Sequence, residues 1–264
     1  MPKAFMNGID LYYQIQGTGS PIILVHALGM DHSMWDLQVE GFSSGYQVIT
    51  YDLRGHGESS SPDHPYSIDL FADDLDQFLH FLGLRKAVLL GLSLGGRILI
   101  RFALKYPKEV QAMILADAQS ETPAESVPRF EELADVARKE GMAKAAEVFF
   151  SWPLVKGLAG RNPERFERER KRFLRASAIG LANSCLAIGR MVPLTGQLRS
   201  IQAPTLALAG EGDEPYLPYL DIYAREIPGC RKAIIPGAGH LSSLEKPQAF
   251  NESVQSFLNT LGKA

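Results

Sequence analysis

Residues 87–96 read Ala87-Val88-Leu89-Leu90-Gly91-Leu92-Ser93-Leu94-Gly95-Gly96, and this stretch decides which fold the chain adopts. An apolar run typical of a buried strand ends at Gly91, and a helical pattern begins at Leu94. Ser93 lies between them in a Gly-x-Ser-x-Gly pattern, whose glycines let strand and helix approach each other closely. The N–H of Leu94 then lies at the positive end of the helix, where a developing oxyanion is favoured. The pattern predicts a nucleophilic serine; the alternative is a glycine-rich turn with an incidental serine.

Strand and helix patterns alternate along most of the chain. Apolar runs predict buried strands at 21–25, 111–116 and 204–209. The patterns at 47–51, 87–91 and 232–235 also predict strands. Between them lie helical patterns such as 67–82, where Ser67 can cap the first turn. Asn7-Gly8 predicts a β-hairpin near the N-terminus. The alternation predicts an α/β fold with a mostly parallel, doubly wound sheet.

The alternation lapses between residues 119 and 193. This stretch has no strong strand pattern, and its segments 125–139, 143–150, 163–177 and 179–191 have helical patterns. Such an insertion predicts a helical lid (119–193) over the carboxyl edge of a core formed by residues 1–118 and 194–264. Within the insertion, residues 161–172 alternate charges of both signs, which indicates a solvated helix face rather than an anion-binding patch.

A serine hydroxyl needs a base to accept its proton, and the base needs an acid to orient it. Loops after the last two predicted strands supply both groups, with Asp213 as the acid and His240 as the base. We prefer Asp213 because a side chain that follows the loop glycines can turn inwards. The other acids in reach are Glu211, Glu214 and, as the second choice, Asp117 at the end of the strand after the Ser93 helix.

Composition excludes several classes of function. The net charge is −3, so nothing draws the chain to nucleic acid or to an anionic membrane surface. No window reaches the roughly 18 apolar residues of a membrane span, and the N-terminus has no signal-peptide pattern. Cys185 and Cys230 have no metal-ligand spacing and indicate a reducing compartment. We expect a cytoplasmic protein without a metal or cofactor, and the sequence leaves its oligomeric state open.

Several motifs resemble those of the α/β-hydrolase superfamily. Leu24-Val25-His26-Ala27-Leu28-Gly29 resembles its His-Gly-x-Gly oxyanion loop, with alanine where glycine is usual. Residues 51–59 match its structural Asp-x-Arg-Gly-x-Gly-x-Ser segment, and residues 239–247 match its histidine loop. The order Ser93, Asp213, His240 is also the order of nucleophile, acid and histidine in that family. The resemblance implies that the N–H groups of Leu28 and Leu94 form the oxyanion hole, and that His56 is structural.

Residues 28–36 and 91–96 resemble one sub-family more closely, the 3-oxoadipate enol-lactonases and their carboxylesterase relatives. This resemblance implies a metal-free serine hydrolase that acts on a small carboxylic ester or lactone through an acyl-enzyme on Ser93. Haloalkane dehalogenases and epoxide hydrolases are disfavoured, because both use an aspartate nucleophile where this chain has Ser93. Specificity is expected to come from lid side chains such as Phe149, Phe150, Trp152 and Leu154.

Two other functions stay open at this stage. The same three residues serve enzymes that cleave C–C bonds in diketones or that catalyse perhydrolysis. Some relatives keep the residues and act as ligand-binding receptors. Nothing in the sequence indicates a partner surface, and we therefore favour an enzyme with a small-molecule substrate.

Overall fold

The computed structural model describes residues 2–262 and contains one eight-stranded sheet. Its strands are β1 (Lys3–Met6), β2 (Ile9–Gln16), β3 (Ser20–Val25), β4 (Tyr46–Tyr51), β5 (Ala87–Leu92), β6 (Val110–Ala116), β7 (Thr205–Gly210) and β8 (Arg231–Ile235). The strand order is β1-β2-β4-β3-β5-β6-β7-β8. β1, β2 and β4 pair antiparallel, and every pair from β4 to β8 is parallel. The predicted fold class is therefore confirmed.

The inner parallel strands are buried because helices cover the sheet, whereas β8 at the edge is mostly exposed. All six residues of β5 and of β7 are buried, which explains their continuous apolar sequences. The helices outside the insertion are α1 (Asp36–Phe42), α2 (Ile68–Phe81), α3 (Leu94–Lys105), α9 (Leu217–Glu226), α10 (Ser242–Glu245) and α11 (Pro247–Leu258). Ser67 caps α2 as predicted, since its Oγ accepts a hydrogen bond from the N–H of Leu70 at 3.0 Å.

Five α-helices lie between β6 and β7. They are α4 (Val127–Glu140), α5 (Met142–Ser151), α6 (Pro153–Arg161), α7 (Pro163–Phe173) and α8 (Ala178–Gly189). Four of them match predicted segments, but α6 is absent from the sequence prediction. Gly157 and Gly160 lie inside α6 and weaken its helical pattern, so its formation depends on packing against α5 and α7. Among residues 2–262, none of the helices is both long and apolar enough to cross a membrane.

The prediction of a solvated charged face at 161–172 is wrong for part of α7. Glu169 is fully buried and forms ion pairs with Arg165 and Arg172. Arg165 also donates from Nη2 to the carbonyl oxygen of Met34 at 3.0 Å, in the segment that follows β3. Because the charges neutralise one another, this face of α7 packs against the core instead of facing water.

A buried ion pair fixes the turn after β4. Arg54 donates from Nε and Nη2 to the two carboxylate oxygens of Asp74 in α2, each at 2.6 Å. Both side chains are 1% exposed. Asn7 joins the pair, donating from Nδ2 to Asp74 at 2.7 Å. Asn7 and Gly8 have φ angles of 46° and 76°, which the predicted hairpin turn requires. The N-terminal hairpin, the turn and α2 are thus held together by one charged cluster.

We expect Arg54→Met to lower the free energy of unfolding by about 3–5 kcal/mol, because the carboxylate of Asp74 would stay buried without its counter-charge. Urea denaturation measures the change. The matched control is Arg101→Met, since Arg101 pairs with the half-exposed Asp69 on the surface of the same helix. The control should cost no more than about 1 kcal/mol. Equal losses in the two variants would contradict the assignment.

Candidate active site

Ser93 occupies a strained turn between β5 and α3. Its backbone has φ 55° and ψ −109°, a conformation that residues other than glycine rarely adopt. The turn requires glycine at position 95, because strand and helix are too close there for a side chain. A Cβ on Gly95 would lie 2.1 Å from the carbonyl oxygen of Val25. The N–H of Ser93 donates to the carbonyl oxygen of Ala116 at 2.9 Å, which ties the turn to the end of β6. Ser93 therefore sits at the carboxyl edge of the sheet, where the sequence places it.

The three residues predicted to act together lie in contact. The Nε2 of His240 is 3.0 Å from the Oγ of Ser93, and its Nδ1 is 2.9 Å from the Oδ2 of Asp213. Asp213 is fully buried and His240 is 6% exposed. The positions of the three residues follow from the fold, because β5, β7 and β8 are parallel and end at the same edge of the sheet.

The environment of His240 favours its protonated form. Burial disfavours the imidazolium, but the carboxylate of Asp213 favours it, and Asp117 and Glu245 favour it as well. As a result, the pKa of His240 is raised above its ordinary value. An imidazole with a raised pKa is a stronger proton acceptor for the hydroxyl of Ser93.

The alternative acids have different surroundings. Glu211 accepts a hydrogen bond from the N–H of Gly237 at 2.9 Å, and its side chain is exposed. Glu214 is also exposed and lines a groove formed by residues of α9 and β8. Asp117 is fully buried and lies next to Asp213, but its oxygens contact Gly210 and Ser242. Of the candidate acids, Asp213 is the one hydrogen-bonded to His240.

Glu245 holds the loop that carries His240. Its carboxylate accepts hydrogen bonds from the N–H groups on both sides of the histidine, Gly239 at 2.6 Å and Leu241 at 3.4 Å. Arg161, the last residue of α6, lies 3.3 Å from the same carboxylate. The sequence analysis identified residues 239–247 as a motif but missed this contact, because it depends on a helix that the sequence did not predict.

The residues implied in oxyanion binding also lie at this edge. Leu28 lines the same cavity as Ser93. Leu94 is the first residue of α3, so its N–H has no intrahelical partner. Ala27, which stands where the resemblance implies glycine, does not have a positive φ, so its backbone conformation does not require glycine. Its carbonyl oxygen is held by the N–H of Met30 at 3.2 Å and by the Nδ1 of His26 at 2.8 Å.

His56 is separate from this arrangement. Its Nδ1 contacts the carbonyl oxygen of Arg54 at 3.1 Å, and its ring packs edge-on against His26. Burial, with the neighbouring His26, lowers the pKa of His56 to about 3. A neutral, fully buried imidazole agrees with the prediction that His56 is structural.

A mainly apolar cavity opens beside Ser93 and His240. Three of the predicted insertion residues, Phe149, Trp152 and Leu154, line it. Phe150 does not line it; its ring packs against Phe166 and Phe173 instead.

The sequence analysis did not identify two polar residues that line the cavity. Tyr216 packs its ring 4.3 Å from that of His240. Arg97 is 2% exposed and also lines the cavity. It lies four residues after Ser93, and this spacing of one helical turn could have predicted that the two side chains lie on the same side of α3. It donates to the carbonyl oxygen of Glu121 and the hydroxyl of Thr122, both at 2.9 Å. Its further acceptors, Gln119 Oε1 and Met191 Sδ, are also uncharged. Within residues 2–262, the buried guanidinium of Arg97 therefore donates to neutral acceptors only.

Comparison with known proteins gives a consistent result. The model of the alpha/beta hydrolase fold family matches residues 20–247. The chain is 30% identical to 3-oxoadipate enol-lactonase 2 of Acinetobacter baylyi, over 90% of this chain and 88% of that protein. It superposes on a thermophilic esterase from Thermogutta terrifontis, solved with malate bound, with a TM-score of 0.90 and 32% identity over 98% and 97% of the two chains. It also superposes on the enol-lactonase from Burkholderia xenovorans LB400 with a TM-score of 0.89 and 31% identity, over 98% of this chain and 100% of that one. The chain therefore belongs to the α/β-hydrolase fold family.

Proposed function

We propose that this protein is a serine hydrolase that cleaves a small carboxylic ester or lactone through an acyl-enzyme on Ser93. The observation that supports this most directly is the line of hydrogen bonds from Ser93 through His240 to Asp213, beside an apolar cavity. Nucleophile, base and orienting acid are the three groups that acyl transfer through serine requires. The similarity to enol-lactonases and an esterase favours the same class of substrate.

In the proposed reaction, the Oγ of Ser93 bonds to the carbonyl carbon of the substrate as its proton passes to the Nε2 of His240. The N–H groups of Leu28 and Leu94 stabilise the oxyanion, and Asp213 stabilises the imidazolium. His240 then gives its proton to the leaving alkoxide, which in a lactone stays attached to the acyl group. A water molecule then loses a proton to His240 as its oxygen bonds to the acyl carbon. The bond between that carbon and the Oγ of Ser93 breaks, His240 returns the proton to Ser93, and the carboxylic acid is released.

The insertion at residues 119–193 acts, in this proposal, as the lid of the site. Phe149, Trp152 and Leu154 come from it and would contact the acyl or alcohol group. A lid that covers the cavity excludes water and strengthens the electrostatic contacts inside. The free thiols of Cys185 and Cys230 favour a reducing compartment, and a cytoplasmic location is part of the proposal.

Arg97 favours a substrate that itself carries a carboxylate. A guanidinium that is buried without an anion is costly, and a carboxylate of the substrate would offset that cost. The esterase from Thermogutta terrifontis was solved with malate bound, and malate is a dicarboxylate. The proposed substrate is therefore an anionic ester or lactone whose carboxylate reaches the wall formed by Arg97.

We expect the enzyme to hydrolyse p-nitrophenyl esters with short acyl chains, or a muconolactone-derived enol-lactone measured beside them. Ser93→Ala should lower kcat by at least about 10⁴-fold without changing the circular dichroism spectrum, because the nucleophile is lost. Ser200→Ala, which alters an exposed serine, is the matched control. Substantial turnover by Ser93→Ala would contradict the mechanism. Inactivity of the unaltered protein on both substrate types would favour a C–C hydrolase or a receptor instead.

The dependence of kcat/KM on pH should show one acidic limb, because only neutral His240 can accept the proton of Ser93. Since the pKa of His240 is raised, activity should be complete above that pKa and be lost as the pH falls through it. The midpoint is expected above about 6.5, the ordinary value for histidine. A profile that stays flat well below this pH would argue against His240 as the base.

Arg97→Met should remove a preference for anionic substrates. The comparison uses p-nitrophenyl hemiglutarate and p-nitrophenyl valerate, which have equal numbers of acyl carbons. The unaltered enzyme should prefer the hemiglutarate by about 10- to 100-fold in kcat/KM, the range expected for a hydrogen bond to a charged group. Arg97→Lys should keep part of the preference, and Arg101→Met, one turn further along α3, should keep all of it. If the enzyme prefers the valerate, the assignment of Arg97 is wrong while the hydrolase proposal stands.

A further inference from the structure

A second carboxyl group lies beside Asp213 and His240. It belongs to Asp117, which directly follows β6 and is fully buried. One oxygen of Asp117, one oxygen of Asp213 and a ring nitrogen of His240 all lie within 4.8 Å of one another. The mechanism above uses one of these two carboxyl groups, so the other needs an explanation.

The contacts of Asp117 connect the loops that carry the acid and the histidine. Its Oδ1 accepts a hydrogen bond at 2.9 Å from the N–H of Gly210, the last residue of β7, three residues before Asp213. Its Oδ2 is hydrogen-bonded to the hydroxyl of Ser242, two residues after His240. One side chain from the end of β6 therefore fixes both loops.

The backbone of Asp117 is strained in a way that these contacts explain. Its φ is 46°, in the left-handed region, which a non-glycine residue rarely occupies. Across residues 2–262, two other non-glycine residues share this property: Asn7 in the hairpin turn and Ser93 itself. The N–H of Asp117 donates to the carbonyl oxygen of Leu208 at 2.8 Å, which holds the strained residue against β7. Strain that surrounding contacts maintain is characteristic of functional sites.

Two buried carboxylates beside one imidazole cannot both be charged without a large cost. Burial and the neighbouring carboxylate of Asp213 raise the pKa of Asp117 well above its ordinary value. These two effects favour the protonated form of Asp117, whereas Asp213 is the carboxyl group hydrogen-bonded to His240. Removal of the Asp213 carboxylate would remove the second of these two causes, while His240 and the hydrogen bonds from Ser242 and Gly210 would continue to favour the charged form of Asp117.

We propose that Asp117 is a second acid of the site, which positions the acid and histidine loops in the intact protein and can replace Asp213 as the carboxylate partner of His240. This inference rests on the proposed function, because it assumes that His240 acts as the base. In the absence of the carboxylate of Asp213, Asp117 releases its proton to solvent. Its negative charge then stabilises the imidazolium that forms when Ser93 attacks.

The test compares Asp213→Ala in two backgrounds, with Asp117 present and with Asp117→Asn. Alanine is preferred to asparagine at 213, because an amide there would favour the wrong tautomer of the histidine. Two rates are measured: kcat/KM for p-nitrophenyl acetate, and the rate at which a fluorophosphonate modifies Ser93. In the second reaction the Oγ of Ser93 bonds to phosphorus, fluoride leaves and His240 accepts the proton, so it reports on the base without requiring a natural substrate.

A triad with one acid loses about 10⁴-fold in activity when that acid is removed. With Asp117 as a second acid, Asp213→Ala should lose only about 10- to 100-fold, and Asp213→Ala/Asp117→Asn should lose at least about 100-fold more. Asp117→Asn alone should lose about tenfold or less, because asparagine can still accept from Gly210 and donate to Ser242.

A purely structural role for Asp117 is tested by Ser242→Ala, which breaks one of its two contacts and leaves both carboxyl groups in place. In the Asp213→Ala background, Ser242→Ala should lower both rates much less than Asp117→Asn does.

The dependence of kcat/KM on pH separates the two roles further. The titratable groups around Asp117 are Asp213 and His240, and Glu245 faces His240 as well. A carboxylate at 117 raises the pKa of His240, so the acidic limb of Asp213→Ala should move to lower pH when Asp117→Asn is added.

The inference is overturned if Asp213→Ala and Asp213→Ala/Asp117→Asn have equal rates, or if Ser242→Ala reduces the residual activity as much as Asp117→Asn does. In either case an active unaltered enzyme would leave the proposed function standing. If the unaltered protein reacts with neither the ester nor the fluorophosphonate, the proposed function fails and the second-acid role fails with it.

Discussion

The close approach of Gly95 to the carbonyl oxygen of Val25 is the contact on which the site depends. A Cβ at position 95 would lie 2.1 Å from that oxygen, so the first turn of α3 packs directly against the end of β3. Ser93 has its strained conformation at this junction, and the cavity that it lines is also lined by Leu28. The turn that carries the nucleophile is thus fixed by a backbone contact, and the proposed oxyanion donors are themselves backbone N–H groups.

The second constraint is the burial of charge at the same edge. Asp213, Asp117 and Glu245 all surround the loop of His240, and each has at least one oxygen bound to a backbone N–H, a hydroxyl or the imidazole. Such fixed contacts hold the imidazole in one orientation and one tautomer. The contact between Glu245 and Arg161 extends this set of contacts to α6, so a movement of the insertion would reach the loop of the histidine directly.

Much of this arrangement could be predicted from the sequence, because its signals are local. Gly-x-Ser-x-Gly between a strand and a helix placed Ser93, and the loops after β7 and β8 placed Asp213 and His240. What could not be predicted depends on tertiary contacts. Helix α6 contains two glycines and forms against its neighbours, and Glu169 is buried only because Arg165 and Arg172 neutralise it. The proximity of Asp117 to Asp213 likewise requires the spatial neighbourhood of β6 and β7.

The most direct measurement is to identify the residue that becomes covalently modified. The protein would be treated with a fluorophosphonate, digested, and its peptides analysed by tandem mass spectrometry. The account predicts a single phosphonyl group on Ser93, and no modification after Ser93→Ala. Modification of another residue, or failure of the folded protein to react at all, would contradict the claim that Ser93 is a nucleophile activated by His240.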